Sequence, residues 1–292
     1  MLFGAGASYG SGYIDPYPPP LGINLFTELK KNYPQTWGKI SEYEQYFTEN
    51  FENGMRIVYE SSKKIVNINV LICNIAEYFC NFRINDNSNL YVKLINAMGS
   101  RTNIIYSSLN YDLLFESALE KENVNYDYFN ERKGAVSFLK IHGSSNFLPP
   151  GNNIFINCDF QVKNSISFPS IEVGDCTRVR EFCRSTNSIS PIMAIYMHDK
   201  PLLITSQNIP EIQERWRQYV SKADKILIIG VKPNPDDKHI WDSLSNSKGR
   251  IGIVGSSKHF DDWRNLHRTN DIDILLGNYW EECIDDCIKF IK

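Results

Sequence analysis

No Cys-x-x-Cys pair occurs in this chain, and its seven cysteines (Cys73, Cys80, Cys158, Cys176, Cys183, Cys283 and Cys287) are odd in number. These two absences argue against a paired-cysteine zinc site and a closed disulfide framework. Cys283 and Cys287 stand four apart in a helical pattern, where a buried thiol serves as a small hydrophobe. No apolar run is long enough to span a bilayer. No basic segment with an apolar stretch precedes the first glycines, so no secretory signal is expected. Strong charge is missing too: the formal net charge is -3 over 292 residues, which predicts no general nucleic-acid footprint. Arg178, Arg180 and Arg184, at near-helical spacing, read as a solvated face. Together these features fit a reducing cytoplasm and no membrane partner.

What the chain does have is a core. Hydrophobic residues make up 42% and aromatics 13%, which excludes disorder and suits a single large domain with insertions. Leu2-Phe3 is a very short first strand. Tyr9 to Gly22, with Pro16, Pro18, Pro19 and Pro20, cannot be regular structure; it is either a lid over a ligand or a surface connector. Ile23 to Lys31 predicts a short amphipathic helix. From Ser41 to Met98 apolar residues recur at threes and fours, which predicts helices. Strands are expected at Asn103–Ser107, Val124–Tyr128, Val136–Ile141, Leu202–Thr205, Lys225–Ile229, Arg250–Val254 and Ile272–Leu276. Helices are expected at Leu113–Lys121, Ile212–Ala223 and Trp280–Ile291. Leu148 to Ile195 reads as irregular. Continuous apolar strands alternating with helices predict an α/β fold: a Rossmann-like parallel sheet with helices on both faces. Its core would comprise about 1–32, 100–147 and 200–292, with a helical insertion at about 33–99 and an irregular insertion at about 148–199.

In such sheets ligands bind outside the carboxyl ends of the strands. Five motifs fall at those ends: Gly4-Ala5-Gly6-Ala7-Ser8, Asn110-Tyr111-Asp112, His142-Gly143-Ser144, Gly230 and Gly255-Ser256. The first is a small-residue turn that would aim free N–H groups at a phosphate. Asn110 and Asp112 suit equally the N-cap of the helix starting near Leu113. His142 equally suits a satisfied core histidine. Asp237 and His239 are metal ligands by type, but two on one loop read as surface polar groups.

The order Gly4-Ala5-Gly6-Ala7-Ser8, Asn110-Tyr111-Asp112, His142-Gly143-Ser144 resembles the sirtuin family. It is most similar to the bacterial sirtuin-like NAD hydrolases of anti-phage defence. The resemblance extends to Ile229-Gly230, Asp237, His239 and Gly255-Ser256, and does not cover the insertions. It implies NAD as substrate. Gly4, Ala5, Gly6 and Ser8 would hold the pyrophosphate, and Asn110 and Asp112 would sit at the nicotinamide ribose. His142 would be catalytic, and Gly230 and Ser256, with Gly255, would border the adenosine half. The chain departs from the deacylating sirtuins in lacking their zinc cysteines, so no zinc is expected. It also carries Pro19-Pro20-Leu21-Gly22 where they have a Gly-Ile-Pro-Asp-Phe-type run. Both departures favour NAD cleavage over protein deacylation; a non-catalytic NAD or ADP-ribose sensor needs the same crevice. The resemblance further implies control in trans, by a hexameric ATPase, an Argonaute-like protein or self-assembly.

Overall fold

The computed structural model describes residues 1–61, 66–129, 132–151, 166–185, 189–194, 204–234, 237–268 and 272–292. The strands are β1 (Leu2–Phe3), β2 (Tyr106–Ser108), β3 (Tyr126–Asp127), β4 (Val136–Lys140), β5 (Phe147–Leu148), β6 (Ile166–Phe168), β7 (Glu172–Val173), β8 (Ile204–Ser206), β9 (Lys225–Ile229), β10 (Arg250–Val254) and β11 (Ile274–Gly277). The helices are α1 (Ala5–Tyr9), α2 (Gly22–Asn32), α3 (Glu44–Glu49), α4 (Phe51–Glu60), α5 (Ile68–Phe79), α6 (Leu90–Met98), α7 (Leu114–Lys121), α8 (Cys176–Ser185), α9 (Asn208–Lys222), α10 (Lys238–Ser245), α11 (Ser257–His267) and α12 (Trp280–Ile291). No described helix is long and apolar enough to cross a membrane.

Seven strands form one sheet in the order β11-β10-β9-β1-β2-β4-β3, and every pair in it is parallel. This is the expected Rossmann-like α/β architecture. The sheet accepts its two-residue central strand. β1 pairs with β2 on one side and β9 on the other, with Leu2 opposite Ser107 and Ile228. Backbone bonds continue past its ends, from Ser107 N–H to the Met1 carbonyl and from Leu109 N–H to that of Phe3. Phe3 faces Tyr91 of α6, Phe115 of α7 and Trp280 of α12, with ring centroids at 5.2, 4.8 and 6.2 Å. Those helices cover one face. On the other, Trp216 of α9 donates through Nε1 to Ser107 Oγ at 3.1 Å, and α10 packs beside α9.

The helical stretch forms as predicted: a 3-10 turn at Trp37–Tyr43, then α3 to α6. Its core is a stack of rings, Phe26, Trp37, Phe47 and Phe51, so α2 joins it through Phe26. The proline-rich loop is fastened to the helical stretch at several points. Asp15 and Arg83 exchange backbone hydrogen bonds, Asn89 donates to Ser11 Oγ and the Tyr13 carbonyl, and the Tyr17 ring packs on Phe82.

Two expectations are corrected. Within the stretch read as irregular, α8 is a regular helix, and β5 pairs antiparallel with β7. Val179 and Phe182 of α8 turn inward, with Cys176 and Cys183 packed on the core beside them; charged residues between them hide the stripe. The strand near Leu202–Thr205 starts, among the described residues, at Ile204, and it pairs with β6 of the insertion rather than with the central sheet. Cys158 lies outside the described residues.

Candidate functional site

All seven strands of the central sheet run the same way, so their carboxyl ends share one rim. Ser108 of β2 lies opposite Lys140 of β4, and Ile141 N–H bonds the Ser108 carbonyl. Asn110 and His142, each two residues beyond that pair, therefore leave the sheet side by side. Phe3 of β1 lies opposite Ile229 of β9, which sets Gly4 against Gly230.

The two glycine turns interlock. Gly4 N–H bonds the Ile229 carbonyl and Gly6 N–H bonds the Gly230 carbonyl, both at 3.0 Å. Gly230 has φ +65°, and a Cβ there would stand 2.0 Å from Ala7 N. No other residue type fits. The small-residue motif is thus required by protein packing in the first place, with Ala5 left exposed at the rim.

Asn110 is held from two sides. Its Nδ2 donates to the Gly4 carbonyl at 2.9 Å and to Ser8 Oγ at 3.0 Å, and its own N–H bonds Ser108 Oγ. Ser8 is itself buried, its hydroxyl shared with Tyr91 OH at 3.2 Å. With both amide hydrogens engaged, Oδ1 remains as an acceptor for a ligand hydroxyl or a water. Asp112 accepts from Leu114 N–H at 3.1 Å through Oδ1, a capping contact for α7, and its carbonyl accepts from Lys140 Nζ at 2.6 Å. Lys140 pairs in turn with buried Glu116 at 3.2 Å, whose Oε1 also accepts from Tyr128 OH. Burial raises the Glu116 pKa above the ordinary value.

His142 is buried at the end of β4. The next residue, Gly143, has φ +80°, and a Cβ there would lie 2.1 Å from the Ile192 carbonyl oxygen. The glycine thus lets the 191–194 segment close over the histidine, where Ala194 N–H bonds the His142 carbonyl and Tyr111 OH the Ala194 carbonyl. His142 Nε2 lies 3.2 Å from His239 Nε2 and 3.5 Å from Asp237 Oδ1.

The expectation that Asp237 and His239 are surface polar groups is corrected here. Asp237 is buried, and both converge on His142, their ligand atoms all within 4.8 Å of one another. The missed signal was local: an acidic residue opening α10, with Ile240, Trp241 and Leu244 turning inward just after it. Gly255 and Ser256, by contrast, sit at the open end of the rim. A Cβ on Gly255 would touch nothing within 4 Å, and Ser256 is exposed.

The rim therefore offers exposed backbone at Ala5, a fixed amide at Asn110, and a buried imidazole with a carboxylate beside it. That set can seat a polar ligand, orient a hydroxyl or water, and move a proton. No family model matches the chain, and no curated protein matches it significantly in sequence.

Proposed function

We propose that the chain is an NAD glycohydrolase, cleaving NAD to nicotinamide and ADP-ribose, and that it acts in anti-phage defence by depleting NAD. The observation that carries this reading is the side-by-side exit of Asn110 and His142 from β2 and β4, with Asn110 tied to the Gly4–Ser8 turn. The order of motifs along the sequence supports it.

Nicotinamide leaves as a neutral base from a cationic ring, so the reaction needs no strong acid. Its transition state is oxocarbenium-like and calls for orientation, exclusion of water and a nearby negative or dipolar group. Asn110 would present Oδ1 to a ribose hydroxyl or to the attacking water. His142 would take the proton released there. Asp112 would contribute negative potential beneath the sugar while keeping α7 capped. Gly4, Ala5 and Gly6 would lie along the pyrophosphate, Ser8 would hold Asn110, and Gly230, Gly255 and Ser256 would border the adenosine.

Deacylation is less well supported. Cys176 and Cys183 face Cys80 and Cys73 across the α8–α5 contact, rather than one another around an ion. An activator, whether a hexameric ATPase, an Argonaute-like protein or further copies of this chain, would keep such an activity from harming its own cell. The deciding experiment separates the nucleotides formed when pure protein meets NAD, with and without concentration-driven assembly. Nicotinamide and ADP-ribose in equal amounts are expected. Tight NAD binding without nicotinamide release would make the chain a sensor, and neither would end the reading.

A further inference from the structure

Asp237 and His239 reach His142 from across the sheet. β9, which leads to them, is separated from β4 by β1 and β2. Three electron-pair donors meet there: Nε2 of His142, Nε2 of His239 and Oδ1 of Asp237.

The two separations from His142 are those of ligands around a cation, and all three ligand atoms lie within 4.8 Å of one another. With zinc–ligand bonds of about 2.0–2.2 Å, neighbouring ligand atoms of a tetrahedron stand about 3.3 Å apart. The separations from His142 are 3.2 Å to His239 and 3.5 Å to Asp237. Hydrogen bonding uses the same atoms less well. An imidazole nitrogen offers one proton or one lone pair along one direction, yet two groups approach Nε2 of His142. Two imidazoles and a carboxylate suit zinc and its first-row neighbours.

We propose that His142, Asp237 and His239 bind a divalent transition-metal ion of the zinc type, with a fourth position open to water. The ion engages the Nε2 lone pair of His142 that would otherwise accept a proton. Metal occupancy and base catalysis at this atom exclude each other, so the bound cation holds the rim inactive. That inhibitory role rests on the proposed NAD cleavage; the cation site itself does not.

The test uses Co²⁺ as a coloured stand-in for Zn²⁺ on chelator-treated full-length protein. Cobalt on nitrogen and oxygen ligands gives visible bands without the near-ultraviolet thiolate charge transfer that cysteine binding would add. One equivalent with that signature is expected, displaced by Zn²⁺. His239→Ala is expected to weaken it at least about a hundredfold. His239→Cys should restore binding and add a thiolate band, which also reports an intact fold. Absence of the nitrogen–oxygen bands from wild type, or equal affinity in His239→Ala, overturns the site. In parallel, nicotinamide release should fall as Zn²⁺ fills the site; release rising with occupancy overturns the inhibitory role. Absence of release under every condition sinks the NAD reading, and the cobalt spectrum still decides the cation site.

Discussion

At the amino ends of the central strands, Arg132, Lys133, Lys222 and Lys225 stand in solvent around a cavity of about 940 Å³ floored by Ile104 and Trp216. At the carboxyl ends the polar groups are inside: Ser8, Asn110, Asp112, His142 and Asp237 are all less than a tenth exposed. The amino rim has room and the carboxyl rim has commitment. An exposed lysine costs the fold little, whereas a buried polar group costs about 1–3 kcal/mol unless its partners are in place. Five such groups gathered at one rim are the reason the proposed site is placed at that end rather than at the cavity. The comparison also explains the parallel sheet's usual behaviour. Every strand delivers its following loop to the same end, so side chains distant in sequence meet there.

The sharpest way to break this contrast is to alter one rim at a time. Asn110→Ala and His142→Ala should each lower nicotinamide release by about a hundredfold or more, the usual contribution of a positioned general base or its orienting partner. Lys225→Ala and Arg132→Ala, at the amino rim, should change it less than twofold on the order-of-magnitude scale of surface substitutions. Steady-state rates at several NAD concentrations decide it. If the amino-rim changes raise KM steeply while Asn110→Ala does nothing, the ligand sits at the other end.

A second break concerns what lies beneath the carboxyl rim. Lys140 and Glu116 form a fully buried pair, with Lys140 also donating to the Asp112 carbonyl. Lys140→Met leaves the Glu116 carboxylate without its cation and is expected to cost about 3–5 kcal/mol at neutral pH. Urea unfolding followed by circular dichroism measures this. A loss under about 1 kcal/mol would mean the pair is not needed to hold the rim together.

Within the carboxyl rim the two glycine turns give a finer contrast. Gly230→Ala places a methyl against Ala7 N at a left-handed φ, and about 2–3 kcal/mol of destabilisation is expected. Gly255→Ala meets open space and should stay within about 0.5 kcal/mol of wild type. Equal losses at both would show that the interlock of the Gly4 and Gly230 turns is not what fixes the rim.

Much of this was legible from residue order, for reasons that can be stated. Lys225–Ile229 and Arg250–Val254 are continuous apolar runs, and only a sheet buried on both faces accommodates them. Asn110, His142 and Gly230 could be placed because each closely follows such a run, and parallel strands fix which end that is. α8 was not legible: its inward stripe is two thiols, a valine and a phenylalanine among arginines and glutamate, which reads as polar. Asp237 and His239 were visible as residue types but not as neighbours of His142. Their meeting is set by where the chain after β9 lies relative to β4, two strands away across β1 and β2, and no local period encodes that. Ser8 was placed at the ligand, but its hydroxyl turns inward to Asn110 and Tyr91.

The smallest expected effect tests whether the carboxyl rim is electrostatically tuned or merely buried. Burial raises the pKa of Glu116 above its ordinary 4.5, so the folded chain holds this proton to higher pH than the unfolded chain does. Across that window the native state binds more protons, and unfolding becomes easier as pH rises. Wild-type stability should therefore fall as pH rises from about 4.5 toward neutrality through this group's contribution. Glu116→Gln removes the titration, and the difference in slope between the two proteins isolates it even if Gln shifts the absolute stability. A wild-type slope of opposite sign in that window, rising where the variant's is flat, would mean that Lys140 outweighs desolvation and that Glu116 is charged throughout. The ground beneath His142 would then be an ion pair fixed at every working pH, and the rim's response to acid would have to originate above the sheet.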